Sequence, residues 1–170
     1  MSLELAYLIV TGTTTAPRAV ELVHGLLQLV PRVLTIATPN AAQVMSPRDL
    51  SSIPGNRLIE SYFASEILPR PPDGLVLVAP CSFNSLNKLA SGVADNLALS
   101  VTAEAIGRGT PLVLALSVNP PLLAHPRTAQ SITTLRGWGV SVIDPVDQGD
   151  GLRLAPTTTI LEEVAQRLRS

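Results

Sequence analysis

Charge is scarce in this chain. Of its 170 residues only 15% are Asp, Glu, Lys or Arg, against about 25% in ordinary globular domains. The net charge is −1 and no basic run occurs, so the electrostatic footprint of a nucleic-acid binder is missing. Lysine is almost absent: Lys88 is the only one. Cysteine is reduced to Cys81, which excludes an internal disulfide and a cysteine zinc cluster, and no metal site is expected. No apolar run approaches the roughly 20 residues of a membrane span. The N-terminus opens into a strand with no charged leader, so the expected setting is the cytoplasm, away from any membrane. What is abundant is apolar surface, with 46% of residues hydrophobic. On a chain so poor in charge, that surface points to contacts between copies. The length suits one compact domain over residues 1–170.

The apolar residues fall into short runs. Leu5–Val10 (LAYLIV) reads as a strand buried on both faces, as parallel sheets require. It ends in Gly12-Thr13-Thr14-Thr15, and Pro17 then opens a helical pattern over Ala19–Val30. A glycine turn with hydroxyls before a helix suits a phosphate; the same residues also suit a plain helix N-cap. Val33–Ala37 is the second strand, with Thr38 at its end, and Ala41–Met45 begins a helix. Leu58-Ile59 reads as a short strand and Ser61–Leu68 as a helical turn, before a stiff connector of Pro69, Pro71 and Pro72. Glu60 and Glu66 in this stretch read as surface carboxylates.

Leu75–Leu99 (LVLVAPCSFNSLNKLASGVADNLAL) organises the rest. An apolar strand breaks at Pro80, passes through Cys81, Ser82, Asn84 and Ser85, and enters a small-residue helical pattern. That is one wall of a ligand site at the carboxyl edge of a sheet. Helix over Ala98–Arg108, strand over Leu112–Leu116, helix over Arg127–Trp138, strand over Val140–Ile143 and a closing helix over Ile160–Leu168 follow. Ser117 and Asn119 sit just past the Leu112–Leu116 strand, with Asn119 fixed by two prolines; it reads as a recognition group or as a turn residue. Asp147–Gly151 reads as a loop. Alternating strands and helices give an α/β fold with a parallel sheet covered on both faces.

Ala79–Ala98 (APCSFNSLNKLASGVADNLA) resembles the homo-oligomeric flavin-containing cysteine decarboxylases. Pro80, Asn84, Lys88, Leu89, Ala90, Gly92, Ala94, Asp95, Asn96 and Leu97 fall on that family's pattern, with Ser85 in place of a Thr. The Asn119 and His125-Pro126 positions match a second family motif, in which Leu122 and Leu123 stand where Met and Trp are usual. Gly12-Thr13, Thr38 and Ala41 match a third region, which holds the FMN phosphate in the family. The resemblance implies a Rossmann-like (flavodoxin-like) three-layer sandwich. It also implies FMN, or alternatively FAD, with the phosphate at Gly12, Thr13, Thr14 and Thr38. The ring would lie along Pro80, Cys81, Ser82, Asn84 and Ser85 and the edge at Ser117. Asn119 and Asn84 are the candidate catalytic residues, Asn119 as holder of the substrate carboxylate. In the family the substrate cysteine loses a hydride equivalent to flavin, and the resulting thioaldehyde loses CO₂ to give an enethiol. The implied partners are a peptide or small cysteine-containing substrate and further copies of the chain, as a homo-trimer or dodecamer with flavin at the interface.

Two departures shape the functional expectation. The family carries a His shortly before the central strand, and Ser61–Asp73 contains none; Tyr62, Glu66 and His125 are the titratable candidates to replace it. The substrate-clamp cysteine of the phosphopantothenoylcysteine enzymes falls in Val146–Arg153, and this chain has no Cys there. The expected activity is therefore FMN-dependent oxidative decarboxylation of the C-terminal cysteine of a ribosomal precursor peptide, in biosynthesis of modified peptides of the aminovinyl-cysteine type. The alternatives are a phosphopantothenoylcysteine decarboxylase of coenzyme A biosynthesis and a non-catalytic flavin-binding homologue.

Overall fold

The computed structural model describes residues 3–170. Six strands form the central sheet: β1 (Leu5–Val10), β2 (Arg32–Ala37), β3 (Asn56–Leu58), β4 (Leu75–Cys81), β5 (Leu112–Leu116) and β6 (Ser141–Ile143). Their order is β3-β2-β1-β4-β5-β6, and every pairing is parallel. The helices are α1 (Ala19–Leu26), α2 (Arg48–Ser51), α3 (Phe83–Ala90), α4 (Leu97–Gly107), α5 (Pro120–Ala124), α6 (Pro126–Gly137) and α7 (Thr157–Arg169). Among the described residues no helix is long and apolar enough to cross a membrane.

Successive side chains of a strand point to opposite faces, so each apolar run feeds two cores. Tyr7 and Ile9 of β1 join Leu86, Leu99 and Leu135 from α3, α4 and α6. Ala6, Leu8 and Val10 join Leu22 and Leu26 of α1 with Ile160 and Val164 of α7. The result is the Rossmann-like three-layer sandwich. Each large side chain removed from water contributes about 1.5–3 kcal/mol to it.

Several boundaries differ from the sequence reading. The α1 helix stops at Leu26, and the chain reaches Val30 through a turn. Ser61–Leu68 is a series of turns and bends with no helix, because Pro69 follows and few apolar residues there find a core. The pattern through Gly92 is two helices instead of one: Gly92 takes φ +72° just after α3, Val93 N–H reaches back to the Lys88 carbonyl at 2.9 Å, and Asn96 then caps α4. The Asp147–Gly151 loop is the tip of a hairpin, β7 (Val146–Asp147) against β8 (Leu152–Arg153).

Both edges of the sheet are protected. β3 is only three residues long, and on β6 the edge carbonyl of Val142 accepts from Arg136 at 2.9 Å. The proline connector is anchored by the buried Tyr7, whose hydroxyl donates to the Pro72 carbonyl at 2.6 Å. Burial pushes that hydroxyl up from 10.0 to about 12. A pKa raised on folding gives stability that is complete below the unfolded value and is lost as pH climbs through the folded one. Urea denaturation of Tyr7→Phe should therefore show a loss of about 1 kcal/mol at neutral pH, from the unpaired carbonyl. The variant should also lack the part of the stability decline that the native protein shows between these two values.

Candidate active site

Ligands in open α/β sheets bind beyond the carboxyl ends of the strands where the strand order reverses. Here that point lies between β1 and β4. Thr11, fully buried, ties the two strand ends together. Its hydroxyl donates to the Pro80 carbonyl at 2.7 Å and accepts from Ser82 N–H at 2.9 Å. Beyond β4, the register with β5 shifts between Val78 and Cys81, and Ser117 N–H bonds the Cys81 carbonyl at 2.9 Å. These bonds set the ends of β1, β4 and β5 side by side.

Two clefts open over them and share Gly12, Ser82 and Asn84. The first, of about 300 Å³, adds Thr38 from the end of β2 with Ser85, Lys88 and Asp95. The second, of about 530 Å³, adds Thr13, Thr14, Ser117 and Asn119, with Phe83, Val118 and Leu122 as apolar wall. Gly12, Thr13, Thr14, Thr38, Ser82, Asn84, Ser85, Ser117 and Asn119 are thus brought to one place. Pro80 and Cys81 are not: both are buried within β4 and line neither cleft. Their side chains belong to the strand core, and Ser82, Phe83 and Asn84 form the surface in front. Burial also pushes the Cys81 thiol far up, which makes it a poor nucleophile.

The first cleft is built for an anion without relying on net positive charge. Its only cation, Lys88, is bonded to Asp95 at 2.7 Å, and that bond holds the Asp95 carboxyl below the usual carboxylate range. The remaining donors are hydroxyls and backbone. The N–H of Gly12, which both clefts share, and those of Thr14 and Thr15, which line the second cleft, find no protein acceptor among the described residues, and the Thr38 oxygen accepts from Ala41 N–H at 3.2 Å, leaving its proton to donate. Ser82 caps α3 by accepting from Ser85 N–H at 3.1 Å, so the positive end of that helix faces the clefts. Such a donor set fits a phosphate. Gly12 has a second reason to be glycine. A Cβ there would lie 2.5 Å from the Asn40 Cβ, so the loops after β1 and β2 could not meet. Its φ is not positive; close approach, rather than the expected sharp turn, is what demands it.

In the second cleft Thr13, Thr15 and Ser117 form a chain of hydroxyls at 2.8 and 2.6 Å. Asn119 caps α5, its Oδ1 accepting from Leu122 N–H at 3.1 Å. That bond fixes the amide so that both protons of Nδ2 are left to donate. The titratable candidates are not on this wall. Tyr62 donates to Ser100 Oγ, and Glu66 lines neither cleft. His125 packs edge-on against Phe83 at 5.1 Å, with Nδ1 accepting from Arg127 N–H. Sequence reasoning missed Arg153, which hangs over the second cleft from the hairpin. Glu60, read as a surface carboxylate, is exposed, at the wall of a smaller cleft of about 240 Å³ that shares Thr38 with the first. No periodic signal marks either residue.

The Flavoprotein family model matches residues 4–169. The chain belongs to the homo-oligomeric flavin-containing cysteine decarboxylase family of flavoproteins. This flavoprotein is 32% identical over 175 residues to the phosphopantothenoylcysteine decarboxylase of Mus musculus, covering 91% of this chain and 82% of that one. It also matches the bifunctional coenzyme A biosynthesis protein CoaBC of Haemophilus influenzae, of whose length the match spans 35%. Among solved structures it superposes on a PPC decarboxylase mutant complexed with pantothenoylaminoethenethiol with a TM-score of 0.83 and 19% identity, covering 99% of this chain and 100% of that one. For the epidermin biosynthesis protein EpiD of Staphylococcus aureus the TM-score is 0.80 and the identity 19%, over 94% and 99%. Replacing Gly12 by Ala in the flavoprotein should cost about 1–3 kcal/mol of stability through overpacking against Asn40. It should also lower bound flavin per chain, as read by denaturation and by absorbance after reconstitution.

Proposed function

We propose that the flavoprotein binds FMN and decarboxylates the cysteine of an N-acylated cysteine substrate, with phosphopantothenoylcysteine as the acyl form best supported. The observation that carries this reading is the pairing, across Ser82 and Asn84, of an anion cradle with a cleft that presents the free Nδ2 of Asn119. The match along most of the chain to a phosphopantothenoylcysteine decarboxylase supports the coenzyme A reading over the ribosomal-peptide substrate expected from the sequence. At 19% identity, the likeness to EpiD carries the fold alone.

In this reading Gly12, Thr13, Thr14 and Thr38 hold the FMN phosphate, and Ser82, Asn84 and Ser85 form the wall along its ring. FMN, when bound, accepts the hydride equivalent that the cysteine gives up before CO₂ leaves. Asn119 orients the carboxylate through Nδ2. A neutral amide suits this role because a cation would stabilise the carboxylate most before it leaves, and so would oppose its loss. Phe83, Val118 and Leu122 shield the reacting end from water. The reading also makes the chain a homo-oligomer, a trimer or dodecamer, in the cytoplasm. The loop between β3 and β4 supports this, with Phe63 86% exposed and Tyr62 and Leu68 each 49% exposed. Sedimentation should then give a mass well above one chain.

The deciding experiment reconstitutes the protein with FMN and follows CO₂ release and product mass from phosphopantothenoylcysteine and from a cysteine-ended peptide. Turnover of the first in preference to the second is expected. A colourless protein, or turnover of the peptide alone, would overturn the proposal. Asn119→Ala should lower kcat about 10²–10³-fold. Asn119→Asp, which keeps the oxygen that caps α5 but sets a second anion against the substrate, should do the same with flavin content unchanged.

A further inference from the structure

The large cleft continues past Asn119. Arg153, at the end of β8, and Thr15 line it and also line a second chamber of about 460 Å³. That chamber has a mixed lining, with Leu154 and Pro156 beside Arg18, Thr157 and Thr158, and Glu21 is the one anion on its wall among the described residues. Arg18 is committed. It donates to the carbonyls of Leu154 and Ala155 at 2.9 Å and to the Thr157 hydroxyl at 2.8 Å, and it lies 3.9 Å from Glu21. Its role is to hold the chain between the hairpin and α7, and its charge is matched.

Arg153 differs. It is the only charged side chain lining the cleft that contains Asn119. Its sole ion-pair partner among the described residues is Asp150, three positions away in the same hairpin, and both side chains are more than half exposed. An exposed local pair is a weak competitor for an arriving ligand. The hairpin tip holds Gly149 and Gly151 at φ +89° and +123°, and its strands are two residues each.

We propose that Arg153 is a specificity residue that receives a phosphate monoester at the far end of the substrate's acyl arm, in the second chamber. This rests on the decarboxylase reading above. The guanidinium fork matches phosphate oxygens in a bidentate manner. The cysteine carboxylate is not its target, because a cation there would oppose the loss of CO₂ and Asn119 already offers a neutral donor. Arg153 lies on the partition between the two spaces, where the arm of a substrate seated on Asn119 would pass from one to the other.

The test is calorimetric titration of the FMN-loaded protein with phosphopantothenate and with pantothenate, which needs no turnover. The native protein should bind the phosphorylated acid at least about tenfold more tightly. Arg153→Gln should bring the two affinities together, and Arg153→Lys should restore part of the difference. Equal affinities in the native protein, or equal weakening of both acids by Arg153→Gln, would overturn the proposal. Kinetics separate it from the decarboxylase reading. Where turnover is found, Arg153→Gln should raise KM for phosphopantothenoylcysteine and leave kcat within about twofold. Absence of turnover with a preserved phosphate preference would refute the reading of the reaction and leave the phosphate subsite standing.

Discussion

The site depends on one buried hydroxyl. Thr11 closes the gap between β1 and β4 by donating to the Pro80 carbonyl and accepting from Ser82 N–H. Strands on the two sides of a sheet's reversal point lead their chains away in opposite directions, so a crevice opens between them. Without a tie, the loops after β1 and β4 would be free to separate. With it, Gly12 and Ser82 become the shared floor of both clefts. The unpaired N–H groups after β1 and the capped start of α3 then face one space. Apolar packing positions the strands; this polar bond positions their ends.

Much of the fold was legible because parallel strands buried on both faces leave an unambiguous mark. LAYLIV, VLTIA, LVLVA and LVLAL are short apolar runs, and each became a central strand. What was less legible lies where local and tertiary signals diverge. Ser61–Leu68 has helix-compatible residues but buries little beyond Ile67 and part of Ala64, and it stays irregular. The Val146–Arg153 hairpin has strands too short for a period to be seen. Within the candidate site, the hydroxyls and amides expected at strand ends do line the two clefts, because strand ends are where α/β folds place ligands. Pro80 and Cys81 were expected along the flavin ring, and their burial within β4 was not legible because sequence does not tell which residue of a strand end is its last buried one. Arg153 was not singled out because its place at the cleft comes from the hairpin that carries it there, not from its neighbours in sequence.

The two clefts divide the chemistry by charge. In the function proposed above, the FMN phosphate meets hydroxyls, backbone N–H groups and a helix end, and the carboxylate that is lost meets a neutral amide. The single lysine is neutralised by Asp95, and burial raises the single thiol. Neither therefore competes with a bound flavin or a substrate thiol. Low charge content, which first stood out as a compositional oddity, is thus a property of the site as much as of the surface.

The guarded edge of β6 has a consequence for how copies of this chain come together. Arg136 donates to the Val142 carbonyl of the edge strand β6, and β3 at the other margin is only three residues long. Growth by adding strand to strand, which has no natural stopping point, is closed off at both margins. The homo-oligomer proposed above would then form through side-chain surfaces instead of strand addition. The Arg136 bond at one margin and the shortness of β3 at the other leave side-chain surfaces as the route to the proposed assembly.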